Sequence, residues 1–215
     1  MFINSLVADG DRLYASDNNF GIPSLLLNLQ PEKSILLPVC LWGHKGKFSE
    51  PIKTYLFYTY DNVFNGLINN FKKIVLSGCE EVSELNFTIN DMTPMAIAIE
   101  RTYQKRWISR SLQECGIKVW VDLNVSPRYA ELNLIGIPSG YNAFITRGYA
   151  NRIGDLNYEY ILAQRISQKE NPNFVVYGGG RAAENFCIEH KAIYIPDFMT
   201  ERHKIIVQKK GGKDE

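Results

Sequence analysis

No apolar run in this 215-residue chain approaches the roughly 20 residues that a helix needs to cross a bilayer. Histidine is scarce. His44, His190 and His203 stand far apart, with no ligand spacing around them. The four cysteines, Cys40, Cys79, Cys115 and Cys187, are scattered with no C-x-x-C pair, which excludes zinc-finger spacing. No G-x-S-x-G elbow and no Cys–His arrangement marks a nucleophile. Net charge is only +1, so no global field draws in nucleic acid or an anionic membrane. Asp9, Asp11 and Arg12 interrupt any secretory apolar segment. The expectation is a cytoplasmic protein with no membrane association and four reduced, mostly buried thiols.

What is present is enough for a core. Apolar residues make up 45% and aromatics 12% of the chain, as in a packed globular domain. The length suits one domain that needs no disulfide or metal to fold. The expected division is a single α/β domain over residues 1–203, followed by a basic tail, 204–215. Within the domain, residues 1–60 read as an irregular, β-rich part and residues 61–203 as βα units.

The first part is dominated by turn chemistry, such as Asp9-Gly10-Asp11 and Asp17-Asn18-Asn19. Short strands are expected over 24–29 and 35–42, the latter at an edge because Pro38 lies inside it. Gly43-His44-Lys45-Gly46-Lys47 is a basic loop that lacks Walker spacing, and an exposed turn is the simpler reading. The aromatic run 54–60 predicts a strand, and apolar spacing predicts a helix over 63–76. A strand is expected over 85–89. Thr93-Pro94 then opens a long helix over 94–115.

From Gly116 a grammar repeats. The strand Ile117 to Val121 runs into Asp122, Asn124 and Arg128. Strands over 143–146, 174–177 and 192–195 follow, separated by helices over 156–169 and 182–190. Alternating strands and helices of this length predict parallel βα units. The fold expected is a partial or distorted barrel-like parallel sheet. Right-handed crossovers bring all the carboxyl ends of its strands to one face, where ligands bind in such folds.

That phase selects the candidates. Asp91, Asp122 and Asp197 follow strands and form a candidate catalytic set, able to hold a hard cation such as magnesium. Arg147, Asn124, Gly178, Gly179, Gly180 and Arg181 form a candidate ligand-binding set. Consecutive glycines let the backbone approach a phosphate, the helix behind them offers free N–H groups, and the arginines add charge. The same triplet also reads as a tight turn. Ala183 stands where a dinucleotide fingerprint has its last glycine, and no acidic residue follows a second strand in register, so a dinucleotide fold is not expected. Arg101, Lys105, Arg106 and Arg110 make the long helix basic and suggest contact with a nucleic-acid backbone. A core helix with a solvated rim is the competing reading.

Several segments together resemble a known family. They are Arg101-Thr102-Tyr103-Gln104-Lys105-Arg106-Trp107, Gly116 with the strand to Asp122, Gly136-Ile137-Pro138, and Val175-Val176-Tyr177-Gly178. The family comprises phage- and bacterium-encoded proteins catalogued as a domain of unknown function (number forty-four seventeen in that series). The opening Asp17…Gly21-Ile22-Pro23 is similar to its start, and the likeness covers most of residues 15–200. Asp122-Leu123-Asn124-Val125 stands where the family pattern has a proline and a tryptophan. The resemblance implies a phage or mobile-element origin and a bacterial host. It transfers no catalytic residue.

The function expected is binding of a phosphate-bearing ligand, nucleotide or nucleic acid, at the carboxyl-end face, in DNA replication or processing. A metal-dependent phosphoesterase or nuclease is the first alternative. A structural or protein-interaction module without a small-molecule site is the second. Whether the chain is an enzyme, and in what oligomeric state it works, the sequence leaves open.

Overall fold

A computed structural model describes residues 13–32, 34–44 and 50–197. The tail 204–215, His203 and most of the Gly43–Lys47 loop lie outside the described residues. Among the described residues, seven strands make one sheet in sequential order, all parallel. They are β1 Val39–Leu41, β2 Thr54–Leu56, β3 Glu81–Ser83, β4 Lys118–Asp122, β5 Phe144–Arg147, β6 Phe174–Tyr177 and β7 Ile193–Ile195. The helices between them are α1 Asp61–Asn69, α2 Lys72–Val75, α3 Met95–Glu114, α4 Ala130–Leu134, α5 Ile153–Ser167 and α6 Gly180–His190. The expected α/β architecture is thus present, as a curled half-barrel.

The curl has a direct measure. Strands β2 and β6 are four places apart in the sheet, about 19 Å if it were flat. Tyr58, just past β2, nevertheless stacks on Tyr177 at the end of β6, with ring centroids 5.5 Å apart. The inner face therefore folds onto itself. Register places Leu41, Leu56, Ser83, Trp120, Asp122 and Ile145 on that face at successive strands. The opposite face packs under the helices, where Phe57, Val82 and Val119 meet Phe64, Trp107 and Leu112 in one core.

The amino-terminal ends of the strands are closed by residues 22–32 and 34–36. The Leu36 N–H donates to Glu81 (3.2 Å), the Thr54 hydroxyl donates to the Leu36 carbonyl (2.8 Å), and the Asn142 N–H donates to Gln30. Gln113, at the end of α3, bonds both the N–H and the carbonyl of Leu26. The opposite end of the sheet, at the strand carboxyl ends, holds the cleft described below.

Three local expectations are corrected. Residues 24–29 form no strand; Leu27–Leu29 is a short 3-10 turn, used as part of the closing segment. The strand expected at 85–89 lies instead at Glu81–Ser83. Its polar residues are inside because they have partners. Glu81 accepts from Trp120 Nε1 (2.9 Å), and Ser83 accepts the Phe57 N–H (2.9 Å). The helix expected over 63–76 is two pieces, α1 and α2, broken at residues 70–71.

Candidate functional site

A cleft of about 550 Å³ opens between the loops that follow β3, β4 and β5. It is lined by Asn86, Asn90, Asp91, Asn124, Ser126, Tyr149, Arg152 and Asp155 among others. Its volume lies in the range of small-molecule sites, and its lining is mostly polar. Two residues marked by strand phase, Asp91 and Asn124, stand together in its wall.

Asp122 plays a different part. It is fully buried and anchors the floor. Its Oδ1 accepts from the Tyr58 hydroxyl (3.1 Å) and from the Asn124 N–H (3.3 Å). Its own N–H donates to Glu84 Oε2 (3.2 Å), and its carbonyl accepts from Lys105 (3.1 Å) and Asn133 (3.0 Å). These bonds tie the loop after β3 to the loop after β4. They bring Asn124 opposite Asn86, to which its side-chain amide donates (3.2 Å). Asp122 Oδ2 has no hydrogen bond and lies 3.6 Å from the Lys105 ammonium. Burial pushes the Asp122 carboxyl up to about 6, against the opposing pull of Lys105. Buried and outside the cleft lining, Asp122 positions the cleft and does not touch a ligand in it.

The four basic residues of the long helix are separated by the fold. Lys105 and Arg106 are 1% and 0% exposed. Arg106 is held by Glu84 and by the carbonyls of Asn133 and Ile135. Burial lowers the Lys105 ammonium, with Glu84 and Asp122 acting the other way. Neither side chain reaches a nucleic-acid backbone. Arg101 is half-buried, pairing with Asp61 and bonding the Thr88 carbonyl. Arg110 pairs with Glu114 and bonds the Ser24 carbonyl (2.9 Å). The helix is a core helix with a partly solvated rim, and the expectation of a basic reading face is corrected.

The triple glycine is built into the same rim. Gly178, Gly179 and Gly180 all have positive φ, and α6 starts at Gly180. A Cβ on Gly179 would come within 2.7 Å of the Gly148 backbone and 2.8 Å of Ala183. Packing against Gly148 therefore takes up the side of Gly179. The helix start keeps an open approach at Gly180, where an added Cβ meets nothing. Arg181 is exposed in the first turn. Asp197 lies against Gly178, its Oδ2 3.3 Å from where a Cβ would be. Its negative charge beside the helix start opposes an anion there.

Arg147 is exposed at the end of β5, and its guanidinium lies 5.6 Å from the centre of the Tyr149 ring. Arg152 lies 5.0 Å from the same ring and pairs with Asp155. One tyrosine thus carries two guanidinium groups at the edge of the cleft. Through Gly148, this segment joins the cleft to the glycine turn.

Asp91, Asp122 and Asp197 do not form a metal site. Among the described residues, no three His, Cys, Asp or Glu side chains gather to hold an ion. Strand phase did not point to Asn86, Tyr149, Arg152 or Asp155. Tyr149, Arg152 and Asp155 follow β5 in the same loop as Arg147, and a wider window after each strand would have included them. Among the described residues, no helix is long and apolar enough to cross a membrane. The cysteines are free, and all but Cys115 are buried. Comparison with models of known families, with curated proteins and with solved structures found no match.

Proposed function

We propose that the protein binds a nucleotide, free or at the end of a strand, across the cleft at the carboxyl-end face. The observation that carries this reading is the rim of the cleft, where Arg147 and Arg152 flank Tyr149 beside a wall of asparagine and aspartate. Arg147 supplies charge-assisted donors for phosphate, and Arg152 adds the Nη1 donors that its pair with Asp155 leaves. The carboxamides and carboxylates offer donors and acceptors suited to sugar hydroxyls and base edges. A cleft of about 550 Å³ holds a ligand of that size. The phosphate sits on the arginines and not in the glycine turn, because Asp197 already lies against Gly178. The family resemblance implies a phage or mobile-element origin and no settled activity; DNA replication or processing is the setting we propose for the nucleotide.

Isothermal titration tests this reading with nucleoside monophosphates, the matching nucleosides and inorganic phosphate. Nucleotides are expected to bind at least tenfold more tightly than nucleosides, and Arg152→Ala is expected to remove that difference. Equal binding of nucleotide and nucleoside, or no binding of any nucleotide, overturns it.

A further inference from the structure

The hydrogen bonds already made inside the cleft determine which polar atoms are left for a ligand. Asn124 Nδ2 donates to Asn86 Oδ1, which leaves Asn124 Oδ1 as an acceptor and the Asn86 amide as a donor. Asp91 Oδ1 takes the Ser126 hydroxyl, and Arg128 bonds the Asp91 carbonyl (2.7 Å), so Asp91 Oδ2 remains. Asn90 Oδ1 is taken by the Met92 N–H (3.0 Å) and the Thr93 hydroxyl (3.3 Å), leaving only its amide N–H groups. Among the described residues nothing else bonds these remaining atoms. The Asn124 acceptor is held in place from below, because Asp122 accepts its backbone N–H.

We propose that this cleft selects nucleotides whose base carries an exocyclic amino group. The inference rests on the nucleotide reading above. Adenine, cytosine and guanine each present an amino donor next to a ring-nitrogen acceptor. Asn124 Oδ1 and Asp91 Oδ2 accept from the amino group, and the Asn86 amide donates to the ring nitrogen. Uracil and hypoxanthine put a carbonyl oxygen where the amino group stands. That oxygen faces the acceptors of Asn124 and Asp91, so the bonds an amino group makes there are lost and like partial charges meet. A site built around such bonds rejects the analogue that lacks the donor.

Two ligand pairs isolate the amino group at constant sugar and phosphate: AMP against IMP, and CMP against UMP. Titration into the wild-type protein is expected to show at least a tenfold preference for the amino-bearing member of one or both pairs. Asn124→Leu is expected to bring the preferred pair to equal affinity, with folding checked by its thermal melt. Equal affinity within both pairs in the wild type overturns this inference and leaves nucleotide binding standing. Failure of all four to bind overturns both. A preference that persists unchanged in a folded Asn124→Leu protein also overturns it.

Discussion

The rings of Tyr58 and Tyr177 lie parallel to within 2°, although three strands of the sheet lie between β2, which Tyr58 follows, and β6, which Tyr177 ends. This contact links the inner floor to the rim. The Tyr58 hydroxyl donates to Asp122, which fixes Asn124, and Tyr177 leads straight into the glycine turn. Tyr177→Ala removes a buried ring from the seam of the curl and is expected to destabilise the fold by about 3–5 kcal/mol. Tyr58→Phe keeps the stack and loses only the bond to Asp122, for about 2 kcal/mol. Urea unfolding of the two variants reads both. Near-equal losses would mean that the stack contributes little beyond the hydroxyl.

Burial gives the protein a pH dependence of a definite sign. The Asp122 carboxyl is pushed from 3.8 up to about 6, and burial also holds Glu159 well above the usual carboxylate range. Between those values the folded chain keeps a proton on Asp122 that the unfolded chain has released. The stability so gained is full below about pH 4 and is lost as pH rises through about 6, a change on the order of 3 kcal/mol. Glu159 acts in the same direction at higher pH. Guanidinium unfolding from pH 4 to 7.5 is expected to show the wild type losing stability relative to Asp122→Asn by up to that amount. A difference between the two that does not vary with pH contradicts the assignment.

Arg106 is a structural cation. Its guanidinium is enclosed with Glu84 and two carbonyls, and truncation leaves all three without it in the interior. Arg106→Ala is expected to destabilise by about 3–5 kcal/mol. Arg101→Ala, in a half-exposed pair, is expected to cost less than about 1 kcal/mol. Thermal unfolding separates them, and a mild Arg106 variant would return that side chain to the pool of available ligand contacts.

The repeating strand–helix grammar after Gly116 was legible because each buried strand there is a short run of β-branched and aromatic residues. Phe174–Tyr177 is found where the pattern places it. The phase argument placed Asp91, Asn124 and Arg147 past strand ends, and all three lie at the carboxyl-end face of the sheet. Strand β3 was hidden because Glu81-Val82-Ser83 has no apolar run. Its inward side chains are satisfied by Trp120, Thr54 and the Phe57 N–H, partners distant in sequence. Burial was the other hidden quantity. Asp122 and Asn124 look alike as polar residues past a strand, yet one lies beneath the cleft and the other in its wall. Lys105 and Arg106 look like a solvated face until Glu84 and the end of α4 are brought over them.

The glycine turn tests how much of the rim is packing. Gly179 has φ +88°, and an added Cβ would meet the Gly148 backbone at 2.7 Å. Gly179→Ala therefore meets both backbone strain and overpacking, and a loss of roughly 3 kcal/mol is expected. Gly180 also has positive φ but faces open space, so Gly180→Ala carries the strain alone, about 1–2 kcal/mol. The two variants differ in what they do to the cleft. Gly179→Ala pushes Gly148 away and with it the segment that carries Tyr149 and Arg152. It is expected to weaken nucleotide binding at temperatures where the variant is still folded, whereas Gly180→Ala is expected to leave binding within about twofold. If phosphate instead sits on the glycine turn, Gly180→Ala narrows the open approach and becomes the more damaging change for binding. Titration of both variants with one nucleotide distinguishes a rim held by glycine packing from a phosphate seat made of glycine backbone.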